Sequence, residues 1–163
     1  MGAFTLFHVV ISLFGIAAGF IVLGGFLSRA RLDGWNAFFL ITTIATNATG
    51  FGFPFVKLLP SHILAALSLL VLAVSVYARY SRKLAGRWNG IYVATSIFAL
   101  YVNVFVLIVQ SFLKVPLLAA IAPTQQDPPF AVAQLVNLAA FIAVGIVAVK
   151  RASEVSVVPA GQL

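Results

Sequence analysis

Apolar residues along this chain come in five long blocks rather than in stripes. They run from about Phe4 to Leu27, Trp35 to Phe55, Ser61 to Ala78, Gly90 to Leu113 and Phe130 to Val149. Each is near the ~20 residues that cross a ~30 Å hydrocarbon core as a helix. A helix on a water-soluble core carries a polar face at a 3.6-residue period, and these blocks mostly lack one. The strict alternation over about ten residues that marks a membrane β-barrel is absent. The joints carry breakers: Asp33-Gly34 opens the second block, Pro54 and Pro60 bracket a turn, and Pro128-Pro129 precede the fifth. The pattern predicts an all-α integral membrane protein, a five-transmembrane-helix bundle. One domain covers 1–151, with spans at 4–27, 35–55, 61–78, 90–113 and 130–149, and 152–163 form a short, disordered cytoplasmic tail.

Composition agrees with that reading. Of 163 residues, 63% are hydrophobic and 8% charged, against about a quarter charged in a soluble domain. The mean hydropathy is +1.13. With no cysteine, disulfides, c-type haem attachment, iron–sulfur clusters and thiolate metal sites are excluded.

The net charge of +7 changes the picture only through its placement. Five spans put alternate loops on opposite sides. One side receives Arg29, Arg31, Arg79, Arg82, Lys83, Arg87, Lys150 and Arg151, eight of the ten basic residues, and the other only Lys57 and Lys114. The basic side is cytoplasmic by the positive-inside rule, so the N-terminus is expected outside and the C-terminus in the cytoplasm of a bacterial-type inner (plasma) membrane. The basic excess is then spent on orientation and on anionic lipid, and nucleic acid is not an expected partner. No basic residue precedes Phe7 and the first apolar run exceeds a signal-peptide core, so the first block is expected to be an uncleaved span. Trp35, Tyr77, Tyr80, Trp88 and Tyr92 fall where an aromatic belt at the cytoplasmic interface is expected. The segment KVPLLAAIAP, from Lys114 to Pro123, is too short to span and is expected to lie in the outer interface or dip into the bundle, with the following TQQDPP extended.

The spans contain no acid: Asp33, Asp127 and Glu154 all lie outside them. This argues against a proton-coupled transporter with a buried carboxylate. Paired-carboxylate hydrolysis, HExxH and GxSxG patterns are absent too, so the reading leans away from an enzyme. What remains is a seam of uncharged polar residues. His8, Ser12, Gly15 and Gly19 share a face of the first helix; the glycine pair suits close packing within the chain. Thr43, Asn47, Gly50 and Pro54 share a face of the second, with Thr42, Thr46 and Thr49 beside it. His62 opens the third helix, Ser96, Asn103, Gln110 and Lys114 align on the fourth, and Gln134 and Asn137 lie on the fifth.

Most of these residues sit toward the outer ends of their helices, which predicts an outward-facing pocket. Its candidate ligand residues are His8, His62, Thr46, Asn47, Asn103, Gln110, Asn137, Lys57 and Lys114. Two imidazoles at matched depth suit axial ligation of b-type haem, with Lys57 and Lys114 toward the propionates. A quinone headgroup suits His62, Gln110 and Asn137. A metal held by His8 and His62 alone has an incomplete ligand set. The plainer reading is packing, since such groups hydrogen-bond across membrane helices for about 0.6 kcal/mol each. The functional class read first is a non-catalytic membrane subunit or accessory protein, working through helix contacts with other subunits or its own copies and through the outer pocket. The alternatives are a haem- or quinone-binding electron carrier and an oligomeric channel or carrier for a small uncharged solute.

Overall fold

In the computed structural model, which describes residues 2–53 and 60–155, the chain is helical and has no strand among the described residues. Its elements are α1 (Ala3–Ser28), α2 (Asp33–Gly50), α3 (Pro60–Val76) continued by a π-helical turn (Tyr77–Ser81), α4 (Arg87–Lys114), a short α5 (Pro116–Ile121) and α6 (Pro128–Val155). Four helices are long and apolar enough to cross a membrane: α1, His62–Ser81, α4 and Pro128–Glu154. The fifth expected span, α2, is 18 residues long. Asp33, two asparagines and four threonines dilute its apolar character.

Helices α1, α2, α3 and α4 close a ring in which each packs on the next and α4 returns to α1. Helix α6 lies outside the ring along α4 and touches α1. The outer faces are greasy: Ile41 and Leu70 are each 66% exposed, and Phe7, Phe14 and Leu135 are exposed as well. Apolar area on that scale has no place on a water-soluble monomer.

The ring is tightest at Gly19. A Cβ there would lie 2.5 Å from Leu100 Cδ1 and 3.0 Å from Phe39 Cε2. Gly15, one turn earlier, faces Thr42, whose Oγ1 would be 3.2 Å from an added Cβ. The glycine pair therefore packs α1 onto α2 and α4 within one chain. Around it Ala18, Val22, Phe39, Leu72, Tyr92, Ile97 and Leu100 form the buried core.

The basic end of the bundle is tied by polar contacts. The Tyr92 hydroxyl donates to Asn36 Oδ1 at 2.5 Å, and Asn36 Nδ2 donates to the Leu32 carbonyl at 2.7 Å. The wide turn Tyr77–Ser81 places the Arg79 guanidinium 5.2 Å from the Tyr92 ring centroid and 2.5 Å from Asp33 Oδ1. Arg29 pairs with Glu154, and Arg151 donates to the Leu27 carbonyl, fastening α6 to the end of α1.

Several expectations shift. Tyr92 is 1% exposed, so it belongs to the core and not to an interfacial belt, because Asn36 and Arg79 satisfy its hydroxyl and ring inside the bundle. Trp35, Tyr77 and Tyr80 remain exposed. Helix α2 stops at Gly50, five residues before the expected 55, where Phe51 and Gly52 turn back onto Ala48 and Thr49 carbonyls. Helix α6 continues to Val155, so the start of the expected tail is helical; Asn89 Nδ2 donates to the Ala152 carbonyl there at 3.0 Å. Helix α5 lies on the surface against α4, with Leu117 80% exposed. The stretch after it is a closed turn instead of an extended strand, because Asp127 Oδ2 accepts from both the Thr124 amide and hydroxyl.

Replacing Gly19 by alanine forces the α1–α4 contact apart and is expected to cost about 1–3 kcal/mol. Gly24→Ala, where a Cβ meets open space, is expected to be neutral. Thermal unfolding of both variants in mild detergent checks this, and an undiminished midpoint for Gly19→Ala contradicts the packing described.

Candidate functional site

Above the Gly19 constriction the ring encloses a cavity of about 540 Å³. Helix α1 lines it from Thr5 to Ile16, and α4 with the residue that follows it lines it from Val102 to Val115. At about 1.5 Å per residue these stretches run roughly 16 and 20 Å along the bundle. Space exists here because small side chains face inward: Ser12 from α1, Gly50 from α2 and Ala65 from α3. Ile16 and Val102 are its deepest lining residues on α1 and α4, joined at that depth by Thr46, Asn47 and Asn103, above the contact of Gly19 with Phe39 and Leu100.

Seven of the nine residues expected to form a pocket line this one cavity: His8, Thr46, Asn47, His62, Asn103, Gln110 and Lys114. They come from four different helices. The remaining two divide. Lys57 lies outside the described residues. Asn137 is buried but does not line the cavity. It stands on α6, which packs outside the ring, and its neighbour Gln134 is spent on the Phe105 carbonyl at 3.2 Å. Gln134 of the expected fifth polar face therefore serves the α4–α6 contact, while Asn137 Nδ2 has no partner among the described residues. Ser96 and Thr43 are also buried, with no place in the cavity lining.

His8 and His62 line the same cavity from α1 and α3, which sit diagonally in the ring. His8 is held by two neighbours: its Nδ1 is 2.8 Å from Thr49 Oγ1, and its ring meets Phe53 edge-on at 5.0 Å between centroids. His62 is buried beside Phe51, with ring centroids 6.0 Å apart. Deeper in, Asn103 is 9% exposed and its Nδ2 has no partner among the described residues; Thr46 Oγ1 is likewise buried and unpartnered. An unpaired buried donor costs about 1–3 kcal/mol, which a water or ligand reaching either atom would relieve.

Sequence reasoning passed over Thr49 as a partner, and Thr5, Phe53 and Ser111 as lining. Thr5 precedes His8 by three residues and Ser111 precedes Lys114 by three, so both were legible as helix-face neighbours. The reach of Thr49 to His8 depends on the packing of α2 against α1 and leaves no local signal. Among the described residues no three of His, Cys, Asp and Glu come together, so a metal here would have protein ligands from the two histidines alone. No family model, curated protein or solved structure matches this chain.

The His8–Thr49 contact joins α1 to α2, and membrane double-mutant cycles put such bonds near 0.6 kcal/mol, with a maximum of about 1.7. A His8→Ala/Thr49→Val cycle is expected to give a coupling energy in that range. Strict additivity of the two substitutions would show that the pair does not interact.

Proposed function

We propose that this chain is a non-catalytic, five-span protein of a bacterial inner membrane that holds one amphipathic, lipid-soluble molecule in the cavity between α1 and α4. The observation that carries the reading is the gradient along that cavity. His8, His62, Gln110 and Lys114 stand toward one end, and Leu13, Ile16, Val102 and Val106 lie deeper, interrupted by the uncharged Thr46, Asn47 and Asn103. A molecule with a polar head and an apolar body fits that order, its head meeting the hydrogen-bonding groups and its body the apolar side chains. The protein's partners are then the bilayer, its ligand and other membrane subunits or copies of itself. A channel through a single chain has less support, because Gly19, Leu100 and Phe39 meet without space beneath the cavity.

In this reading α2 spans as the fifth helix, despite its threonines, because it is packed between α1 and α3 with its polar face toward protein. The N-terminus then faces outward, and the basic turn between α3 and α4 faces the cytoplasm.

A second reading has its own observation. His8 and His62 reach one cavity from diagonal helices, and His8 is oriented by a hydrogen bond at Nδ1, as haem-ligating histidines are. His8 and His62 would hold the haem iron and Lys114 would pair with a propionate; haem would supply one-electron transfer. A visible spectrum of the purified protein, oxidised and then dithionite-reduced, separates the two. The ligand reading expects no Soret band and a stoichiometric lipid-soluble compound in an organic extract. That compound is lost from Ser12→Phe, which fills the cavity. A Soret band abolished by His8→Ala and His62→Ala establishes haem instead.

Orientation is tested on single cysteines placed in this cysteine-free chain. A membrane-impermeant maleimide is expected to label Gln125→Cys in intact cells and Ala85→Cys only after permeabilisation. The reverse pattern overturns the assigned sidedness.

A further inference from the structure

The partner of His8 determines which of its ring nitrogens can serve a ligand. The Thr49 hydroxyl has one proton, and it is directed to the Ala45 carbonyl one turn back at 2.7 Å. What the His8 ring meets at 2.8 Å is therefore a Thr49 lone pair, so Nδ1 carries the proton and donates it. A neutral imidazole has a single N–H, which leaves Nε2 as a bare acceptor. No described residue donates to Nε2, and the ring stands in the cavity wall. Its surroundings leave room for a flat group. Phe53 lies edge-on to the imidazole, and Gly50 presents no Cβ beside His8 Cε1, which would be 4.0 Å from one. Gln110 and Lys114 line the same end from α4 and supply donors.

We propose that the cavity selects a hydroquinone, an aromatic head bearing hydroxyl groups on an apolar tail, by accepting one hydroxyl proton at His8 Nε2. This rests on the reading that the cavity holds a lipid-soluble ligand, and it names the head group. Gln110 and Lys114 donate to oxygen lone pairs, which both redox forms possess, so they bind hydroquinone and quinone alike. His8 discriminates. A hydroquinone hydroxyl completes the hydrogen bond to Nε2, whereas a quinone carbonyl sets lone pair against lone pair. A site built to accept a hydroxyl disfavours the analogue that lacks it. The apolar tail then runs past Leu13 and Val106 toward Ile16 and Val102.

The test is anaerobic binding of a decyl-substituted benzohydroquinone and its quinone to the full chain in nanodiscs. The reduced form is expected to bind about tenfold tighter or more, the loss typical of one unmade hydrogen bond to a buried group. Thr49→Val, which frees the His8 tautomer without entering the cavity lining, and His8→Ala are each expected to bring the ratio toward one. Nitrogen NMR of histidine-labelled protein gives a readout that does not need the variants to bind. The unprotonated Nε2 resonance, assigned through its loss in His8→Ala, should move when the reduced probe is added and stay when the oxidised probe is added. Equal affinity for both forms, or a protonated Nε2 in the free protein, overturns the His8 assignment and leaves the cavity reading standing. Binding of neither form overturns the hydroquinone, and an organic extract that is also empty overturns the cavity reading with it.

Discussion

The close approach of α1 to α2 and α4 at Gly19 is the contact on which the rest of the bundle depends. Any side chain at that position would meet Leu100 and Phe39 at less than ordinary van der Waals distance. Removing it lets three helices share one plane of packing, with Ala18, Val22 and Leu72 filling in around them. Lipid offers apolar contact as good as any leucine, so helices in a membrane associate through close backbone approach and interhelical polar contacts. Glycine at the crossing supplies the first of these. The crossing also divides the bundle into two ends of opposite character.

Toward the basic end, the large polar groups are matched. Tyr92, Asn36, Arg79 and Asp33 form a run of hydrogen bonds, an ion pair and a cation–π contact across α2, α3 and α4. That end is a clamp. Toward the other end, small side chains face inward and the polar groups outnumber their protein partners. Asn103 Nδ2 and Thr46 Oγ1 are left without one. Unpaired buried groups also occur away from the cavity, at Thr43, Ser68, Ser96 and Asn137, so it is the space itself that a bundle selected only for packing would fill with leucine. The contrast between the two ends of one molecule supports reading the cavity as a site.

Much of this was legible beforehand because helical faces are a local property. Spacing alone puts His8 with Ser12, and Asn103 with Gln110 and Lys114, on common faces, and helix direction sets their depth. That sufficed to assemble seven of the expected residues around one cavity. It failed for Asn137, whose face is as polar as the others but whose helix lies outside the ring. It failed for Tyr92 as well, where an aromatic residue near a span end reads as interfacial until Asn36 and Arg79 are seen to enclose it.

By itself the sequence determined the helical, strongly apolar character, the positions of the long apolar helices and the polar residues available near one end. These follow from block length, periodicity and charge placement, each readable within a single segment. Only the tertiary structure decided which faces meet: that α6 stands aside, that Gly19 packs against Leu100 and Phe39, and that Thr49 reaches His8. Those outcomes depend on the order and rotation of helices around the ring. They are fixed by side-chain volume at contacts between residues far apart in the chain, for which no single segment carries a signal.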